Sequence, residues 1–141
     1  AELALACDLR IAAPHAEIGL IQSRLNVTTA WGGGIDLIDL VGNSRALHIL
    51  ITGQRLNAAE ALQLGIINAV ADDNFATSTE NFLAPYLAHK QQVIRGYKTT
   101  SLAHRKCLHE KLDAAEESQF VKTWTHEDHW TASAKALAPE K

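Results

Sequence analysis

The chain has 141 residues, 47% of them hydrophobic, which suits one domain with a core and rules out disordered and collagen-like readings. Thirteen Lys and Arg against sixteen Asp and Glu give a formal charge of -3, so no global basic field draws in nucleic acid or an anionic membrane. Cys7 and Cys107 stand apart with no CxxC pattern, as expected of free thiols in a reducing cytoplasmic compartment, or an organellar one if a transit peptide has been lost.

The chain opens on AELALAC, a helical pattern with nothing ahead of it to cap it, and Ala1 is therefore expected to be a truncated end. Asp8 to Ala13 and Glu17 to Leu20 read as two short extended pieces separated by a Pro14-His15 turn. From Trp31, a run of three glycines leads into IDLIDLV at helical spacing, and Gly42 closes that helix. Asn43-Ser44 restarts a helix through Leu47, Leu50 and Ile51 that ends at Gly53. Asn57 with Glu60 forms a capping box for AAEALQL, Gly65 ends that helix, and IINAVA follows as an extended segment. Helix and strand thus alternate up to Asp73, which makes the chain α/β. Beyond it, no strand pattern appears. Thr77 with Glu80 offers a second capping box, and helices are expected around Phe82 to Leu87 with Pro85 kinking or bounding it, Val93 to Leu112, and Asp113 to about Lys135. The last of these presents Leu112, Phe120, Val121 and Trp124 as its apolar face. No apolar run approaches the roughly 18 residues that a bilayer requires, so the chain is expected to be soluble.

AELALACDLRIAAPHAEIGL, then WGGGIDLIDLVG, then ALHILITGQRLNAAEALQLGIINAV, in that order and spacing, closely resembles the signature region of the crotonase, or enoyl-CoA hydratase/isomerase, superfamily. Any one block is weak, because glycines before a helix and capping boxes occur in many folds; the ordered set is specific. The resemblance implies that residues 1–73 are the C-terminal part of a ββα spiral core whose N-terminal part is absent. Residues 74–141 would be a helical segment that packs on the core and on neighbouring subunits of a trimer or dimer of trimers. It implies an acyl-CoA thioester as substrate, coenzyme A as part of that substrate, and no separate cofactor.

By the same resemblance, Glu2 matches the family's first catalytic carboxylate, at a helix start where an oxyanion hole holds the thioester carbonyl. Both oxyanion donors would lie upstream of Ala1, so the isolated chain is expected to be inactive. Leu20, Trp31, Gly32 and Gly33 fall where the family meets substrate, and Lys135 falls near its terminal basic cluster. Gln22 stands where hydratases carry a second glutamate, Asn26 where a glycine is usual, and Thr29 where a proline is usual. An amide can hydrogen-bond but cannot titrate, so Gln22 cannot be the general base for adding water. The AEL...ACD start, the non-acidic second position, the Trp31-Gly32-Gly33 trio and the late VKTWTHEDHW together look most like the ethylmalonyl-CoA decarboxylase branch. Decarboxylation suits a single carboxylate: loss of carbon dioxide leaves an enolate, and Glu2 returns a proton to the α-carbon; enoyl-CoA hydration or isomerisation, or a non-catalytic member that binds acyl-CoA or a protein, are the alternatives.

Plainer uses of these residues stand beside the functional ones. Glu2 in a first helical turn is also an ordinary surface charge, Gln22 a loop spacer, and Trp31 a core or pocket-wall residue rather than a chemical participant. His126 and His129 have a spacing that suits two metal ligands, but no third ligand is evident and a solvated helix face is the commoner use. Lys98, Arg105 and Lys106, or Lys135 and Lys141, are candidates to meet coenzyme A phosphates or simply exposed cations. His15 and His48 are expected to be structural.

Overall fold

The structure, a computed structural model, describes residues 1–138; Lys141, one of the candidate phosphate contacts, lies outside them. The elements run α1 (Glu2–Leu5), β1 (Ile11–Ala12), β2 (Glu17–Gly19), a 3-10 turn at Gln22–Leu25, α2 (Gly33–Val41), α3 (Asn43–Thr52), β3 (Arg55–Asn57), α4 (Ala58–Gln63), β4 (Ala69–Val70), α5 (Phe75–Leu87), α6 (Gln91–Trp124) and α7 (Glu127–Ala136). β1 pairs in parallel with β4, Ile11 opposite Ala69, and β2 pairs antiparallel with β3, Ile18 opposite Leu56. Mixed α/β with a helical end is thus the observed class. Among the described residues no helix is long and apolar enough to cross a membrane.

The expected Asn57–Glu60 capping box is formed: the Asn57 side chain accepts from Glu60 N–H at 2.9 Å, and Glu60 accepts from Asn57 N–H at 2.8 Å. Leu37, Ile49, Leu56, Ala61 and Ile66 bury against one another with Leu5 and Leu20 to make one core between α1 and β4. A fully buried side chain such as Leu37 contributes about 2 kcal/mol relative to exposure.

Four expectations are corrected. The extended IINAVA segment joins a ladder only at Ala69–Val70, because the Ile66 carbonyl turns aside to accept Arg10 Nε at 2.5 Å while Ile66 and Ile67 enter the core. Thr77 does not cap α5; the helix starts a turn earlier, where the Asn74 side chain accepts from Thr77 N–H at 3.1 Å. Pro85 lies inside α5, two residues before its end. The helices expected on either side of Asp113 are one continuous α6, and the break falls instead at Thr125 and His126, where the His126 imidazole accepts from Asp128 N–H and caps α7.

Candidate active site

Glu2 opens α1 and is part-buried, and both of its carboxylate oxygens are engaged. Oε1 accepts from the Gln22 amide at 2.5 Å; Oε2 accepts from the backbone N–H of Trp31 at 3.0 Å and of Ala30 at 3.3 Å. A carboxylate has about four acceptor positions, so three donors leave one free to carry a proton. The structure therefore brings Glu2 and Gln22 together. The Gln22 Oε1 is buried without a partner on the other side of the same amide. It is turned away from Glu2 because two acceptors would repel.

The three glycines each make room for one side chain. A Cβ on Gly33 would collide with the Glu2 side chain, its Oε2 lying 2.7 Å away; one on Gly32 would fall 2.5 Å from the His109 ring; one on Gly34 would fall 2.6 Å from the Thr29 hydroxyl and 2.7 Å from the Glu116 carboxylate. Gly32 also holds φ +78°, a left-handed conformation that other residues rarely adopt. Asn26 takes φ +53° as the left-handed cap of the 3-10 turn, a conformation that suits the glycine expected there from the resemblance and that Asn, of the side-chain-bearing residues, tolerates best.

Apart from the two bonds to Glu2, the loop from Leu25 to Gly34 is held to the rest of the chain chiefly by α6 and α7. His129 Nδ1–H donates to the Leu25 carbonyl at 2.7 Å, the Asn26 amide donates to the Asp128 carbonyl, and Thr28 N–H donates to the Thr123 hydroxyl. Glu116 accepts from the Thr29 hydroxyl at 2.6 Å, Gly32 N–H at 2.7 Å and Gly34 N–H at 3.0 Å, so a residue 84 positions away in sequence caps α2. One helical turn on, buried Asp36 accepts two bonds from Arg105, at 2.9 and 3.1 Å, and one from His109 at 2.9 Å; the other ring nitrogen of His109 meets Asp113. Burial alone would push Asp36 up, but the Arg105 and His109 bonds and charges outweigh it and hold the carboxyl below its ordinary range. Burial pulls His109 down, and its bonds to Asp36 and Asp113 more than reverse this, so the imidazole is held above its ordinary value.

The remaining predicted residues are scattered. Leu20 is buried and lines, with Gln22, an apolar cavity of about 580 Å³ whose walls include Ile35, Ile38, Leu50 and Leu112. Trp31 is 82% exposed, which corrects the expectation of a core or pocket-wall ring: its backbone N–H, not its indole, contacts Glu2. Lys135 lies in a separate depression with Arg24 and Asn26. Lys98 pairs with Asp8, Lys106 with Glu110 and Arg105 with Asp36. His129 is buried on Leu25 and stacked beside Trp124 rather than on a solvated face, and no cluster of three metal-ligating residues occurs among the described residues. His15 and His48 are exposed. Sequence reasoning missed Glu116, His109 and Asp36. The signal was present at Arg105, His109, Leu112 and Glu116, which repeat at helical spacing, but the stripe is polar and an apolar search passes over it.

The family model for enoyl-CoA hydratase/isomerase matches residues 1–138. An ethylmalonyl-CoA decarboxylase from Xenopus tropicalis is 30% identical over 127 residues, covering 88% of this chain and 42% of that protein. A short-chain-enoyl-CoA hydratase from Clostridioides difficile is 34% identical over 101 residues, 72% of this chain and 65% of that protein. Among solved structures, an enoyl-CoA hydratase/isomerase from Mycobacterium paratuberculosis superposes with a TM-score of 0.84 at 22% identity, covering 95% of this chain and 53% of that one. The chain thus spans between two fifths and two thirds of the length of these curated relatives. With its ordered sequence blocks, its fold and a match along its whole described length in agreement, the chain belongs to the enoyl-CoA hydratase/isomerase family.

Proposed function

We propose that this chain carries the proton-transfer half of an acyl-CoA lyase site, and that its preferred reaction is decarboxylation of a malonyl-type thioester. The observation that carries the reading is the pairing of one titratable group, Glu2, with a non-titratable amide, Gln22, at 2.5 Å. In this reaction the bond from the α-carbon to the substrate carboxylate breaks and carbon dioxide leaves. The electron pair passes into the thioester as an enolate, and Glu2 gives its proton to the α-carbon. Donors for the enolate oxygen would come from the segment preceding Ala1, so the chain by itself would be inactive. The apolar cavity behind Leu20 and Gln22 suits a short acyl chain, and Leu20, Gly32 and Gly33 would form the wall beside the reacting carbon, with the Trp31 N–H holding Glu2. Lys135 beside Arg24 would meet coenzyme A phosphates; coenzyme A enters as part of the substrate. The exposed Val121, Trp124 and Trp130 of α6 and α7 would be covered by neighbouring subunits in a trimer or dimer of trimers, in the cytoplasm.

A second reading, hydration or isomerisation of an enoyl-CoA, draws on the unpartnered Gln22 Oε1, an acceptor placed to hold a water or hydroxyl, and on the likeness to the Clostridioides difficile hydratase. Incubating the full-length protein with enoyl-, malonyl-, methylmalonyl- and ethylmalonyl-CoA and weighing the products separates the two: the proposal expects a product lighter by carbon dioxide. Glu2→Gln is expected to lower turnover about 100-fold or more. Gln22→Glu is expected to raise crotonyl-CoA hydration and to disfavour malonyl-type substrates, since a second anion would face the substrate carboxylate. Substantial hydration by the unaltered protein would overturn the decarboxylase reading.

A further inference from the structure

We propose that Glu116 is a positioning residue for Glu2, acting through the backbone of the loop between them, and that Thr29 is its partner in this role. The proposal rests on the reading of Glu2 as the proton donor.

The N–H groups of residues 30, 31, 32 and 34 leave the loop and the start of α2, and two carboxylates divide them. Glu2 takes Ala30 and Trp31, while Glu116 takes Gly32 and Gly34. No side chain of the loop itself caps α2, since its N-cap is Gly32. The two carboxylates therefore brace one turn of backbone from opposite ends. Glu2 cannot move toward α2 because Gly33 already sits in contact with it, and Gly34 is held equally closely against Thr29 and Glu116. Residue 34 is thus wedged from the α6 side as residue 33 is from the α1 side, and a shift of either carboxylate passes through a single peptide unit to the other.

Thr29 adds a side-chain bond to this arrangement. Its buried hydroxyl donates to Glu116 Oε1 at 2.6 Å, shorter than either backbone bond to the same carboxylate. It also fixes the residue just before Ala30, whose N–H serves Glu2. A side chain lacking that hydroxyl would leave Oε1 with Gly34 alone. Removing Glu116 frees three donors at once and releases the loop that aims Glu2, although Glu116 itself makes no contact with Glu2 or Gln22 among the hydrogen bonds formed.

The test compares Glu116→Ala, Glu116→Gln and Thr29→Val with Glu2→Gln in the full-length protein, using turnover, KM and amide hydrogen exchange at Trp31 and Gly32. Glu116→Ala is expected to lower kcat about 10- to 100-fold with KM changed less than about threefold, because misplacement of a reacting group costs rate rather than binding. Exchange at Trp31 and Gly32 should quicken. Glu116→Gln keeps an acceptor for Thr29 and Gly34 and should recover part of kcat, while Thr29→Val should fall between it and the unaltered protein. Should Glu116→Ala fail to fold, the Gln and Val variants carry the same readouts. A folded Glu116 variant with kcat within about twofold and a lower melting temperature would show a purely structural cap and overturn the proposal, even with Glu2→Gln inactive. An unchanged rate in Glu2→Gln would instead overturn the functional reading and this proposal with it.

Discussion

The stretch from Ala1 to Asp73 and the helices beyond it are built on opposite plans. The first part gathers most of its buried aliphatic side chains in one cluster, and its elements are held by that cluster. Beyond Asp73, His129 is the one buried residue among those described, and neither α5 nor α6 buries any. What α6 contributes is a line of polar groups at residues 105, 109, 116 and 123, with Leu112 among them, laid along α2 and the loop before it. A helix that seals a core tolerates exchange of side chains of similar volume, whereas one that supplies specific hydrogen bonds to the loop beside Glu2 does not. The helical end is thus tied to the site by chemistry rather than by hydrophobic area.

That difference is tested most severely at Asp36. Asp36→Asn leaves Arg105 and His109 with a weaker partner at a buried position and is expected to cost about 3 kcal/mol of unfolding free energy, the low end for a broken buried pair because Arg105 is 40% exposed. Asp8→Asn removes the partner of Lys98 at an exposed position of the same helix and should cost less than about 1 kcal/mol. Denaturant midpoints of both variants decide it, and equal costs would mean that α6 is attached by diffuse surface charge.

A smaller effect follows from the opposite shifts of His109 and Asp36. His109 is held above its ordinary 6.5, so its contribution is complete below pH 6.5 and is lost as pH rises through the raised value. Asp36 is held below its ordinary 3.8, so its contribution is complete above pH 3.8 and is lost as pH falls through the lowered value. The clamp is therefore strongest between those two ordinary values. The stability difference between the unaltered protein and His109→Gln should be largest near pH 5 to 6 and shrink toward pH 9. A difference that grows with pH would contradict the raised imidazole.

Much of the first part was legible in the sequence because its signals are local. The Asn57–Glu60 box lies within four residues, Gly42 and Gly53 end helices by their own backbone freedom, and α2 and α3 follow apolar periodicity. The pairing of Glu2 with Gln22 was reached through the resemblance, since 20 residues of intervening chain carry no local mark of it. The continuity of α6 and the role of Glu116 were not legible. The first was obscured because an exposed helix has little apolar pattern to follow, the second because a carboxylate 84 residues from its donors looks like any solvated charge until the chain is folded. Trp31 misled for a related reason: a large aromatic predicts burial on average, but here it is the backbone that is used.

The finest test uses one sequence signature that appears in both parts and succeeds in only one. Asn57-x-x-Glu60 and Thr77-x-x-Glu80 satisfy the same capping rule. The first forms because β3 delivers Asn57 in an extended conformation, φ -71° and ψ 169°, directly before α4, so its side chain faces the free N–H of Glu60. The second does not form because Asn74, three residues earlier, has already started α5, leaving Thr77 inside the first turn with its own N–H as the donor. Asn57→Ala and Asn74→Ala should therefore each cost about 1 kcal/mol, and Thr77→Ala less than about 0.5 kcal/mol. Asn74 has further support, because Asp72 accepts from its N–H at 3.1 Å and is itself bonded to Ser78, which holds the Asp72 carboxyl below the usual range. Urea midpoints of the three variants measure these costs. A loss at Thr77 equal to that at Asn74 would place the helix start three residues later and restore the boundary read from the sequence; the hydrogen bonds around Asn74 predict the reverse order.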